Sequence, residues 1–250
     1  AANPKLTFVE HPFPLTKQFK AVISSASGTT SACLMAIAWL MISDALIQNI
    51  IRERYRNIKH QIMVSGSSLI AYWLGHYIAD ILVQGVPTII AIAGVYAFDI
   101  DVPQVWALFL VHVFASPAFL YFLSFLFEKE ESGSLFIKMV FFVVGIIAPI
   151  ATSILQIFPN TVNIANGLRW GFYPFPIFSL VFGYISIANA PITHYLNNLT
   201  EVPKPYDMLV AGPALYFLLG SIVFYWLLVI AFEMKVFDRL LCLNRAAAPA

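Results

Sequence analysis

The chain has 250 residues, of which 60% are hydrophobic and only 11% charged, and its mean hydropathy is +0.81. A water-soluble domain carries about 25% charged residues, so this composition excludes an ordinary soluble enzyme and selects lipid as the solvent. The net charge of +1 comes from scattered cations without a long basic run, which gives no reason to expect a nucleic-acid partner.

The first twenty residues, AANPKLTFVEHPFPLTKQFK, lack the basic start, apolar core and small-residue cleavage site of a signal peptide. They are expected to form an extended extracytoplasmic approach to a membrane. The start and the closing AAAPA read as those of a fragment, a tag or an incompletely identified sequence. Cys33 lies in an apolar run and Cys242 near the C-terminus, which argues against a disulfide framework.

About 20 apolar helical residues cross a bilayer. By that measure five spans are expected, at residues 21–51, 68–98, 102–127, 134–157 and 208–232. Residues 158–190 are apolar enough for another, but Pro174 and Pro176 fall within the stretch, and proline inside a helix costs about 3 kcal/mol. Charge placement decides the matter. With five spans, Arg52, Arg54, Arg56, Lys59, Lys129, Lys138, Lys235, Arg239 and Arg245 share one side, against Lys5, Lys17, Lys20, Arg169 and Lys204 on the other. The positive-inside rule makes the first side cytoplasmic. The expectation is therefore an all-α membrane protein with its N-terminus outside and a cytoplasmic tail at 238–250. Residues 161–190 then form a re-entrant or interfacial helical hairpin on the outer side, with its irregular backbone buried by protein. The sequon at Asn198 falls outside in this topology and is a glycosylation candidate.

Two features could carry function. Tyr72, His76, Asp80 and Gln84 follow one another every four residues from Ser68, and Asp44 and Gln48 form a shorter stripe above Arg52. Such faces should turn inward, because an acid facing lipid is costly. They are either hydrogen-bond glue between helices or the wall of a translocation path. An intramembrane enzyme built on His76 and Asp80 is a weaker reading. HYIAD has no third metal ligand in view, and the chain has no HExxH, GxSxG or GxxxxGK[ST] motif. The second feature is the basic connector around Arg52, Arg54, Arg56 and Lys59, with Glu53, Tyr55 and Ile58 interleaved. It marks the cytoplasmic edge and is expected to form a short amphipathic helix able to dock a cytosolic partner. VSGSS at 64–68 would then break the chain before the next span.

The stretch RERYRNIKHQIMVSGSSLIAYWLGHYIADI, the preceding HPFPLT and the later FYPFPIFSLVFGYISIA together resemble the A subfamily of ABC transporters, in order and spacing, from about His11 to Phe237. VFGYI stands where the family carries an LGRGL-like run, without its arginine. The resemblance implies a transmembrane half (21–237) of an ATP-driven transporter of lipids or lipid-like molecules. Its first span and outer domain would precede residue 1, and a nucleotide-binding domain would follow Arg245. It implies no cofactor in this chain, with ATP and Mg bound by the parent transporter. The partners implied are the lipid bilayer, a lipid substrate, nucleotide-binding domains and a second transmembrane half. The membrane would be the plasma or an endolysosomal membrane. By the same resemblance Arg52, Glu53, Arg54, Arg56, Lys59 and Gln61 would couple to the nucleotide-binding domains, and Arg169, Trp170, Phe172 and Phe175 would lie near an outer gate. The alternative is a non-transporting ABC-like subunit of a larger membrane complex.

Overall fold

The computed structural model describes residues 16–158, 160–196 and 203–234. The described residues form helices and turns, with no strand. In chain order the helices are α1 (Lys17–Tyr55), α2 (Ile58–Val64), α3 (Leu69–Ala97), α4 (Trp106–Ser124), α5 (Glu130–Phe142), α6 (Ala148–Ile157), α7 (Val162–Phe172), α8 (Pro176–Leu196) and α9 (Gly212–Glu233). A π-turn at Val143–Ile147 joins α5 to α6 without interrupting the rod. The approach segment before Thr16, the sequon at Asn198 and the tail beyond Met234 lie outside the described residues.

Six helical rods are long and apolar enough to cross a membrane, one more than the five expected. The additional one is α8. Pro174 and Pro176 counted against a span here because a helix through the whole stretch would hold them in its interior; the helices break there instead, with Pro174 in the turn after α7 and Pro176 the first residue of α8. At that position proline's missing N–H is not needed by the helix, so α8 runs for 21 residues despite Pro191 further along.

Side-chain contacts sort the helix termini into two ends. At one, the C-termini of α1, α4 and α9 meet the N-termini of α3 and α5, through Arg54 to Ser124, Lys59 to Glu233, Tyr72 to Glu53 and Arg52 to Glu130. We call this the connector end. At the other, the hairpin end, Ser25 of α1 bonds Asn189 of α8, and Thr161 before α7 bonds the Leu155 carbonyl of α6. Tyr206, before α9, donates to the Gln104 carbonyl before α4. Thus α1, α3, α4, α5–α6 and α9 run from end to end, whereas α7 and α8 enter and return at the same end. Their turn reaches Tyr225, whose hydroxyl donates to the Pro174 carbonyl at 2.9 Å. Tyr225 lies thirteen positions along α9 from Gly212, which puts the turn about 20 Å inside the bundle.

The core follows from this insertion. Tyr173, Ile177, Phe178, Phe182, Tyr184 and Ile185 of the hairpin are buried against α1, α4 and α9. Small residues let the backbones approach, as is usual where helices pack without water to drive them together. A Cβ on Gly28 of α1 would lie 2.3 Å from the Ala188 Cβ of α8, and one on Gly145 in the π-turn 2.8 Å from Ile177 Cγ1.

Candidate functional site

The connector end gathers most of the charged contacts. Helix α1 continues past the expected span through Tyr55, and the backbone reverses at Asn57, which adopts a left-handed φ of 54°. Asparagine tolerates that conformation better than most residues. The basic connector is therefore not one amphipathic helix, as expected, but two pieces. Arg52 and Arg54 end α1, Arg56 caps it, and Lys59 lies in the seven-residue α2. A second reversal at Gly66, φ 99°, leads to Ser68, whose hydroxyl caps α3 by accepting from the Ala71 N–H.

This split gives the cations two roles. Arg54 and Lys59 turn inward. Arg54 donates to the Ser124 carbonyl at 2.7 Å and to its hydroxyl at 2.8 Å, with its guanidinium 4.6 Å from the Phe125 ring centroid. Lys59 pairs with Glu233 of α9 at 2.5 Å and stands over the rings of Tyr72 and Trp73. Both partners are mostly covered, with side-chain exposures of 20% and 15%. Arg52 and Arg56 face outward. Arg52 pairs with Glu130 of α5 at 2.7 Å, but the two side chains are 43% and 40% exposed, so this bond adds about 0–1 kcal/mol. Arg56, His60 and Gln61 are exposed, forming a polar surface with Arg52 at the tip of the bundle.

Behind the connector lies a polar seam. Glu53 Oε2 accepts from the Tyr72 hydroxyl at 3.0 Å and lies 3.0 Å from His76 Nε2. One turn deeper Asp80 Oδ2 accepts from the Tyr121 hydroxyl of α4 at 2.5 Å, and deeper still Gln84 reaches the Ser116 hydroxyl at 3.4 Å. Tyr72, Asp80 and Gln84 are buried and His76 is half-buried. The shorter stripe faces a different neighbour. Asp44 pairs with Lys138 of α5 at 3.0 Å, and Gln48 donates to Ser134 at 3.2 Å. The stripes therefore tie α3 to α1 and α4, and α1 to α5, in two separate seams. His76 and Asp80 do not converge on a metal site, and no group of three His, Cys, Asp or Glu side chains does so among the described residues.

The candidates placed near an outer gate occupy the hairpin. Phe175 sits at the turn with its ring 6.0 Å from Phe119, and Phe172 packs on Phe178 at 5.5 Å. Trp170 lies edge-on to Phe217 of α9 at 5.6 Å, and the Arg169 guanidinium stands 6.0 Å from the Tyr173 ring. Sequence reasoning missed Tyr121, Ser124, Glu130 and Glu233, the partners that complete the connector-end ties. Nothing in their local sequence marks them, because each meets its partner from 41 to 174 positions away.

The family pattern of ABC-2 transporter proteins matches residues 3–231. Among similar proteins, rat ATP-binding cassette sub-family A member 2 is 27% identical over 212 residues, covering 80% of this chain and 9% of the relative. Human phospholipid-transporting ATPase ABCA7 is 26% identical over 196 residues, covering 73% and 9%. The human retinal-specific phospholipid-transporting ATPase ABCA4 is 23% identical over 249 residues, covering 93% and 11%. The chain thus spans about a tenth of the length of these relatives. With several helices apolar enough to cross a membrane and a family match over nearly its whole length, this multi-pass membrane chain belongs to the ABC-2 transporter family and is similar to the A-subfamily ABC transporters.

Proposed function

We propose that the chain is the transmembrane portion of an ATP-driven transporter that moves lipids across a membrane. Nucleotide-binding domains outside this chain would drive it, together with a second transmembrane half. Two of the relatives above are named as phospholipid-transporting ATPases, and this supports lipid as cargo. The observation that carries the coupling role is the two-sided connector. Inward Arg54 and Lys59 bind it to α4 and α9, while outward Arg52, Arg56, His60 and Gln61 present a polar face. A push on that face is passed through the Arg54 hydrogen bonds and the Lys59–Glu233 pair to the ends of α4 and α9 at once. ATP and its Mg would be held by the nucleotide-binding domains, since this sequence has no phosphate loop.

In this reading the connector end is cytoplasmic, the hairpin end is outside, and the rods that run from end to end make five crossings. The paired α7 and α8 form the re-entrant hairpin. The return of both helices to one end supports that count, although α8 has the length to cross. A plasma or endolysosomal membrane fits the lipid cargo.

The test uses Arg52→Glu combined with Arg56→Glu in the full-length protein. Both side chains are exposed, so insertion and folding should survive. The expected result is ATP hydrolysis that continues while lipid movement in reconstituted vesicles is lost. Normal transport per ATP hydrolysed would refute the coupling role, and absence of both activities in the unmodified protein would favour a non-transporting subunit.

A further inference from the structure

Two acids in the seam behind the connector lack a fixed cation. Arg54 is taken up by the Ser124 carbonyl and hydroxyl, Lys59 by Glu233, and Arg52 by Glu130. Glu53 of α1 instead faces His76 of α3, whose Nε2 lies 3.0 Å from its Oε2, and accepts from the Tyr72 hydroxyl. Asp80 is only 8% exposed and accepts from the Tyr121 hydroxyl of α4. Among the described residues no lysine or arginine pairs with either acid. The cation-forming side chain set between them is His76, four residues before Asp80 on the same face of α3.

The seam has an open end and a closed one. Glu53 and His76 keep side-chain exposures of 27% and 23% and open toward the connector. Around the Tyr121 ring the walls are aromatic, with Trp73 and Tyr77 of α3 and Trp226 of α9 at 5.1, 6.5 and 6.0 Å. The Tyr77 hydroxyl is committed to the Phe114 carbonyl. At the closed end Gln84 is fully buried; its Nε2 reaches Ser116, while its Oε1 has no hydrogen-bond partner among the described residues. Gln84 follows Asp80 by four residues, the spacing at which Gln and Asp side chains on a helix meet. An ionised carboxylate can only accept, whereas a protonated one has an O–H to donate. The orphaned oxygen thus marks where a proton on Asp80 would find its acceptor.

With both acids ionised and His76 neutral, the seam would carry two negative charges between apolar rods, and unbalanced charge buried there is costly. One proton on His76 and one on Asp80 remove the imbalance: the imidazolium faces the Glu53 carboxylate, and the Asp80 O–H faces Gln84. We infer that Glu53, His76 and Asp80 form a proton-binding site, filled from the connector end, whose protons are held by the three groups as one unit. The site also responds to the connector. Glu53 belongs to α1 and His76 to α3, so a displacement that draws Glu53 away removes the anion that holds the imidazolium proton. That proton then leaves to water at the connector end. This last link rests on the coupling role proposed above; the site itself does not.

Infrared spectra of the full chain in vesicles are recorded at about pH 6, where exposed acids are ionised. They should show the carbonyl band of a protonated carboxyl. Asp80→Asn should abolish the band, and Gln84→Leu should shift it, because the O–H loses its acceptor. No band at this pH, or a band that survives Asp80→Asn, would overturn the site. A second measurement compares thermal melts of the unaltered chain with those of the Glu53→Gln, His76→Gln, Asp80→Asn triple variant. Stability rises as pH falls wherever the folded state binds more protons than the unfolded one. From about pH 8 to about pH 5 the unaltered chain should therefore gain on the variant, by up to about tenfold in the folding equilibrium per pH unit for each extra proton. A relative loss would mean fixed anions and would also overturn the site. The link to the connector is tested in the full-length protein, in weak buffer with a pH-sensitive dye. Binding of a non-hydrolysable ATP analogue should release about one proton more than it does in His76→Gln. Equal release in both, with the infrared band present, keeps the site and removes its link to the connector. Lipid transport without the band keeps the transporter reading and removes the site.

Discussion

The two ends of the bundle are held by different chemistry. At the connector end, long charged side chains bridge helices: Arg52 to Glu130, Lys59 to Glu233, and Arg54 to the Ser124 carbonyl. At the hairpin end and along the inserted hairpin, the ties are short hydrogen bonds and close packing. Ser25 bonds Asn189, Ser31 meets the Tyr184 hydroxyl at 2.9 Å, Gly28 abuts Ala188, and, deeper in the bundle, Gly145 abuts Ile177. Long side chains can follow a helix that shifts by an ångström or two, because their torsions absorb the change. Backbones in van der Waals contact cannot, since packed interfaces have few alternative arrangements. The connector end is therefore built to receive a displacement, and the hairpin to hold a fixed register.

If that contrast holds, Gly28→Leu should be the most damaging single change. Its side chain has no room against Ala188, and overpacking of this kind costs about 3 kcal/mol. A marked fall in the thermal unfolding midpoint of the detergent-solubilised chain would register it, and an unchanged midpoint would contradict a rigid α1–α8 seam. Tyr121→Phe comes next. It leaves the buried Asp80 without its hydroxyl donor, for about 2 kcal/mol; the same melt with Asp80→Asn as companion would show whether the hydroxyl or the carboxylate carries the loss. At the connector, a double-mutant cycle of Lys59→Met and Glu233→Met should return a coupling of about 1 kcal/mol. Lys59→Met alone should cost more than the double change, because it strands a half-buried carboxylate. The mildest expectation is Gly220→Leu, where the added side chain enters open space and helix propensity improves by about 0.8 kcal/mol. Stability should hold or rise in the same melt, and a lowered midpoint would contradict the open space beside Gly220.

Length and hydropathy made the long rods legible, since each apolar run bounded by charges or turn residues became a helix within a few positions of its expected limits. The four-residue spacing on α3 likewise placed Tyr72, Asp80 and Gln84 on one face, as helical geometry requires. Proline was harder to read. Its cost in a helix interior is real, but a sequence does not show whether Pro174 and Pro176 lie inside a helix or at the break between two. The connector was misread for a related reason: apolar content ends near Ile51, yet α1 goes on to Tyr55, because Arg52 and Arg54 find partners on α5 and α4. Those partners, like Glu233 for Lys59, come from distant segments and have no local signature. Arg169 and Trp170 were singled out by resemblance alone, and their contacts with Tyr173 and Phe217 required the hairpin's depth, which no periodicity encodes.

The π-turn at Val143–Ile147 also has a rotational meaning. A π-turn carries one residue more than an α-turn, and one residue is about 100° of azimuth. The faces of α5 and α6 are thus out of phase with those of a straight helix of the same sequence. This offset lets α5 aim Ser134 and Lys138 at α1 while the π-turn itself brings Gly145 against Ile177 of α8. Deleting one residue from 143–147 would restore regular hydrogen bonding, yet it would swing α6 around its axis and unseat the hairpin's first helix. The irregular turn is a phase shifter that allows one rod to serve two neighbours.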